Sequence, residues 1–189
     1  MKTAQIHGAT RTDMGKQAAK HARAEGQIPC VLYSEGKAVH FSAPVKELNA
    51  LIYTPETFLV DLHIEGKSYL AVIKHASFHP VHDFLMDIEF HKVYADRPLQ
   101  VDIPLKLTGT SEGVLAGGRL VQKQRKLRVR GLYKDIPDSL SYDITNLRLG
   151  RSIKVADVEF DNLIVDMIRD VPIATVEITR QLRQERGNQ

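Results

Sequence analysis

Short apolar runs with period-two character dominate this chain, and helical signals are confined to two segments. Residues 3–7 read as an opening strand. Asp13 to Ala24 favours helix after Gly15, because alanines and long basic side chains have high helix propensity. Gly26 is placed to end that helix in the left-handed conformation glycine tolerates. Ile28–Tyr33 and Ala38–Ser42 read as a hairpin around Ser34-Glu35-Gly36-Lys37. Ser42 to Ile52 predicts a second helix, with Ser42 as cap, Pro44 in the first turn, and Val45, Leu48 and Ile52 on one face. Phe58–Ile64 and Lys67–Lys74 make a further hairpin around Glu65-Gly66. Residues 75–83 read as a His- and Pro-bearing loop, and Phe84–Tyr94 as one long strand with a bulge or twist.

At Ala95-Asp96-Arg97-Pro98 the chain changes domain. Leu99 to Leu107 alternates strictly, and a Gly-bearing loop follows over residues 109–118. Short strands then recur about every 8–12 residues: 119–122, 127–132, 140–144, 152–155, 162–167 and 171–178. That spacing predicts a sandwich or barrel. The expected organisation is a domain over residues 1–95, an all-β domain over 96–179 and a flexible polar tail over 180–189. The fold class is mainly β, with an α+β N-terminal part.

Composition removes several function classes. With 189 residues, 43% hydrophobic and 26% charged, the chain is not disordered throughout. Its one cysteine, Cys30, supports neither an intramolecular disulfide nor a Cys-rich zinc site, and reads as a packed thiol. No apolar run reaches the ~18 residues of a membrane span. The first residues lack the apolar core of a secretory signal. A cytoplasmic protein is expected.

Net charge is only +3, but its distribution is uneven. Arg11, Lys16, Lys20 and Arg23 stand against Asp13 alone between residues 11 and 23, and that excess equals the charge of the whole chain. Lys16, Lys20 and Arg23 share one helical face. Such a face can neutralise phosphates and release their counterions, or simply be solvated. Lys126, Arg128 and Arg130 alternate with Leu127 and Val129, which gives a charged strand face suited to a second polyanion or to guarding a sheet edge. Asp87, Glu89 and His91 share another strand face, where carboxylates can accept hydrogen bonds from base amino groups. His79, His82 and Asp83 have metal-like spacing, but Pro80 interrupts them. The Gly113–Gly118 segment lacks the Gly-Lys-Ser/Thr ending of a phosphate loop, and reads as a tight turn. No catalytic constellation emerges, and the chain is not expected to be an enzyme.

These residues, in order, resemble a known family. Arg11 through Gly15-Lys16 to Arg23-x-x-Gly26-x-x-Pro29-x-x-Leu32-Tyr33 is similar to the N-terminal motif of bacterial large-subunit ribosomal protein number twenty-five. So are His79-Pro80 and Asp87-Ile88-Glu89-Phe90. Val101-x-Ile103-Pro104-Leu105, Gly117-Gly118-x-Leu120 and Leu147-x-Leu149-Gly150-x-Ser152-Ile153 resemble its long, general-stress (CTC) form.

The resemblance implies an N-terminal β-barrel with short helices, then an all-β C-terminal domain. It implies binding of 5S ribosomal RNA at its loop E in the central protuberance, beside neighbouring large-subunit components. Neither catalysis, cofactor, metal nor membrane is implied, and the free protein would be a monomer. An alternative is a stress-related paralogue acting through protein contacts of its C-terminal domain. Carried over by position, Arg11 and Arg23 match backbone-contacting arginines, Lys16 and Lys20 fall at basic contact positions, Gly15 lies in the RNA-facing loop, and Tyr33 matches a contacting tyrosine. Where the family has His-x-Asp-Phe, this chain has Asp87-Ile88-Glu89-Phe90. Glu89 keeps a carboxylate one methylene longer, and Asp87 replaces an imidazole donor with an acceptor. His91, on the same face, is a candidate replacement donor.

Overall fold

The computed structural model describes residues 1–160 and 162–179; the tail expected over 180–189 lies outside them. By internal contacts it forms two compact units. One comprises Met1–Val101 with Leu132–Lys134, and the other Asp102–Gly131 with the chain from Asp135 onward.

The first unit is a closed six-stranded barrel. Its strands are β1 (Lys2–Thr10), β2 (Gln27–Ser34), β3 (Lys37–Pro44), β4 (Phe58–Ile64), β5 (Lys67–Phe78) and β6 (Leu85–Lys92). Around the barrel they run β1-β3-β2-β6-β5-β4, and β4 pairs with β1 in parallel to close it. Alternation decides what points inward. Ile6, Cys30, Leu32, Phe41, Val60, Leu62, Ile88 and Phe90 are all buried, and the Phe41 and Phe90 rings meet at 5.7 Å. Two helices join the barrel, α1 (Lys16–Ala24) and α2 (Val45–Ile52). α2 buries Leu48 and Leu51 in the same core.

The second unit holds two sheets. One has the order β10-β7-β9-β12, from β7 (Leu99–Thr108), β9 (Lys126–Gly131), β10 (Leu140–Asp143) and β12 (Ile164–Val165). The other runs β11-β13-β8, from β8 (Arg119–Gln122), β11 (Ser152–Lys154) and β13 (Pro172–Glu177). Gln122 Nε2 donates to the Leu105 carbonyl at 3.1 Å and so links the two sheets. A mainly-β protein with an N-terminal barrel agrees with the expectation.

Several local expectations are corrected. Ser42 does not cap α2; it lies within β3, paired with Ala9 and Pro29, and Pro44 is the residue preceding the helix. The loop expected over 75–83 begins only at His79, because β5 continues through Phe78 across two register shifts. One shift lies in β5, where Lys74 is the extra residue; the other lies in β6 at Met86, within the strand where an irregularity is expected. The glycine-bearing segment after β7 contains one helical turn, α3 (Glu112–Leu115), capped by the Ser111 hydroxyl accepting from Val114 N at 3.1 Å.

Candidate nucleic-acid interface

The basic segment is shaped residue by residue. Arg11 N donates to the His40 carbonyl at 3.0 Å, which extends β1 by one rung beside β3. The Arg11 guanidinium then reaches back to the Asp13 carbonyl at 3.2 Å and braces the loop. Gly15 has φ 102° and ψ 179°, a region essentially reserved for glycine. From there the first helical hydrogen bond forms, Ala19 N to Gly15 O at 3.0 Å. Gly26, at φ 76°, ends the helix as expected.

α1 packs along β2 through small residues: Ala18, Ala19 and Ala22 are half-buried, and no residue of the helix is fully buried. Lys16 and Lys20 are exposed one turn apart, and neither is ion-paired among the described residues. Arg23 behaves differently. Its Nη1 donates to the Met86 carbonyl of β6 at 3.3 Å, so it ties the helix to the barrel as well as carrying charge. The single free face expected for all three cations is therefore reduced to the two lysines.

Beside the helix, β2, β6 and β5 present an outer polar strip. The parallel β2–β6 register sets Tyr33 against His91, both exposed, with ring centroids 5.4 Å apart in an edge contact. Glu89 lies between Val31 and His75. Asp87 lies opposite Ser77, whose hydroxyl donates to its Oδ2 at 2.9 Å. Asp87, Glu89 and His91 thus share one face, as the alternation predicts, while Ile88 and Phe90 fill the core. Beneath them Cys30 is 1% exposed, confirming a packed thiol. Burial first, and then the Asp87 charge, push that thiol far above its ordinary range, against a smaller pull from Arg11.

The strip also contains residues that sequence reading placed elsewhere or passed over. His75 and Ser77 fall in the expected loop, and the bulge at Lys74 that brings them opposite Glu89 and Asp87 leaves no mark in the local pattern. The metal-like trio resolves into a turn. His79 Nδ1 accepts from Val81 N and His82 N, both at 3.2 Å, and the His79 ring stacks on Phe84 at 4.8 Å. Among the described residues no group of three or more His, Cys, Asp or Glu is placed to hold a metal.

In the second unit, Lys126, Arg128 and Arg130 are exposed and alternate with buried Leu127 and Val129. β9 lies between β7 and the two-residue β12, which pairs only with Val129 and Arg130. Arg128 pairs with Asp102 at 3.0 Å, which raises its guanidinium pKa further. No helix among the described residues is long and apolar enough to cross a membrane.

A six-stranded barrel faced with a basic helix and a polar strip, followed by a second β unit, defines a two-unit, mainly-β class of protein. Comparison makes this specific. Residues 6–90 match the ribosomal L25p family, and residues 98–180 match the C-terminal domain of ribosomal protein TL5. The chain is 42% identical over 184 residues to large ribosomal subunit protein bL25 of Azobacteroides pseudotrichonymphae, covering 97% of each chain. It is 42% identical over 185 residues to the bL25 protein of Porphyromonas gingivalis, covering 97% of this chain and 96% of the relative. With that of Phocaeicola vulgatus it shares 38% over 190 residues, at 97% and 96% coverage. The chain belongs to the bL25 family of large ribosomal subunit proteins, in its long two-domain form, and this is a family of structural constituents rather than enzymes.

Proposed function

We propose that this protein binds 5S ribosomal RNA in the large subunit, at the irregular, non-Watson–Crick loop E region in the central protuberance. The observation that carries the reading is a helix packed on β2 whose exposed Lys16 and Lys20 have no ion-pair partner among the described residues, beside the β2–β6 strip of Tyr33, His91 and Glu89. The lysines neutralise phosphates and release counterions. Arg11 and Arg23 hold the loop and helix in place and add charge, and Gly15 gives the loop its turn. The strip supplies what a distorted helix exposes partners for: donors and acceptors for 2′-hydroxyls and base edges. Glu89 accepts, His91 and Tyr33 donate, and Asp87 is held by Ser77 as a second acceptor. His91 thus takes over the donor position that Asp87 lacks.

The test is binding of the whole protein to a loop-E fragment of 5S RNA, titrated with salt at fixed Mg²⁺. Lys16→Ala/Lys20→Ala should weaken binding and flatten the slope of log K against log salt by roughly 1.5, at about 0.7–0.9 per lost phosphate contact. Wild-type protein without salt-sensitive binding would defeat the proposal. Absence from isolated large subunits, together with a stable protein partner, would favour the paralogue reading instead. Free of the subunit, the protein is proposed to be a monomer.

A further inference from the structure

A groove of about 470 Å³ lies between the end of α1 and α2. Its floor is apolar, with Ile28 and Leu85. Two aromatic rings form its walls, and both are well exposed for their type: Tyr53 at 63% and Phe84 at 45%. Each is nevertheless held in place. The Tyr53 hydroxyl donates to the Asp83 carbonyl at 3.2 Å and its ring leans on Phe78 at 6.3 Å; Phe84 is backed by His79. Exposed aromatics with fixed orientation are stacking platforms in search of a flat partner. Lys20 and Arg23 sit on the rim, and the lining holds no carboxylate among the described residues. Arg23 uses Nη1 on Met86, which leaves the rest of its five-donor fork for an anion. Asn49 also lines the groove; its Oδ1 is shielded from solvent and lacks a hydrogen-bond partner among the described residues.

Flat aromatic walls, an amide oxygen lacking a partner among the described residues and a cationic rim together suit a heterocyclic ring carrying a phosphate. We propose that this groove takes an unpaired nucleotide of ribosomal RNA. The base stacks on Tyr53 or Phe84, its polar edge is met by the Asn49 carboxamide, and its phosphate lies against Lys20 and Arg23. A protein side chain would fill the apolar floor but would leave the cationic rim unanswered. The inference rests on the reading of α1 as an RNA-facing helix. It adds a pocket for a single extruded base to a surface otherwise suited to a helical backbone.

The experiment uses the whole protein with labelled methyl groups, titrated with single-stranded RNA hexamers (oligo-A and oligo-U) and, separately, with a blunt RNA duplex. The hexamers should shift the Ile28 and Val45 methyl resonances, and the duplex should not. Tyr53→Ala and Asn49→Leu should each weaken hexamer binding about tenfold, within the range for loss of one base stack. Both variants should keep the wild-type salt slope on the loop-E fragment. Hexamers that leave these methyls unmoved, or bind both variants as tightly as wild type, would overturn the inference. So would an apolar leucine-rich peptide that shifts the same methyls where the hexamers do not. Loop-E binding that persists through such a failure would leave the 5S reading standing, whereas loss of both would remove the two together.

Discussion

Arg23 of α1 donates from Nη1 to the backbone carbonyl of Met86 in β6 at 3.3 Å. One side chain thus joins the basic helix to the strand that carries Asp87, Glu89 and His91, and charge and scaffold coincide in it. Lys16 and Lys20, on the same helix, have no such partner among the described residues. Arg23→Ala should therefore lower stability by about 1 kcal/mol, the usual net worth of a partly exposed hydrogen bond, and also weaken RNA binding. Lys16→Ala and Lys20→Ala should leave the denaturation midpoint unchanged and act only on affinity and its salt dependence. Urea unfolding beside salt-titrated binding separates the two effects. An equal stability loss in all three variants would contradict this division.

Gly15→Ala places a side chain at φ 102° and ψ 179°, although nothing lies within 4 Å of the new Cβ. The cost is then backbone strain alone, roughly 1–3 kcal/mol. Thermal unfolding should show it as a lowered Tm, with weaker RNA binding as the start of α1 shifts. An unchanged Tm would mean that the loop relaxes without penalty.

Asn49→Leu should stabilise the fold even as it damages the groove. An unsatisfied buried acceptor costs about 1–3 kcal/mol, and replacing Asn49 by a similarly sized apolar side chain removes it. A higher urea midpoint is the expected result. A lower one would show that the amide makes a contact essential to α2.

Cys30 should resist alkylation while the barrel is closed. Its side chain is 1% exposed, and burial holds the thiol in its unreactive protonated form. Labelling by iodoacetamide at mild alkaline pH should follow the urea unfolding curve. Labelling in native buffer at the rate of a free thiol would contradict the closed barrel.

Asp143 accepts from Thr145 twice, from its hydroxyl at 2.6 Å and its backbone N–H at 3.0 Å. Both bonds favour the carboxylate and hold its pKa below the ordinary value, the hydroxyl contributing most. A depressed folded pKa stabilises above the unfolded carboxylate range, and that contribution is lost as pH falls through the folded value. In an NMR titration, Thr145→Val should move the Asp143 carboxyl up toward an ordinary aspartate. A titration unchanged by the substitution would remove Thr145 as the cause.

Much of this architecture is a local property of the chain. Period-two alternation marks β7 and β9, because a strand with one face on a core must alternate, while β2 and β4 show as short apolar runs. Gly26, Gly36 and Gly66 punctuate the helix end and the two hairpins, since each turn needs a positive φ that glycine adopts freely. The cationic composition of α1 and the face shared by Asp87, Glu89 and His91 follow from the same short-range geometry. What the chain could not announce is anything settled by non-local pairing. Closure of the barrel depends on β1 meeting β4 in parallel across more than fifty residues. The place of β9 inside its sheet depends on two residues of β12 pairing with its Val129 and Arg130. The β5 bulge at Lys74 that brings His75 to Glu89, the reach of Arg23 to Met86 and the meeting of Tyr53, Phe84 and Asn49 in one groove likewise join residues far apart in sequence. Periodicity reports which side of an element a residue occupies; which other element stands there is decided only when the chain closes on itself.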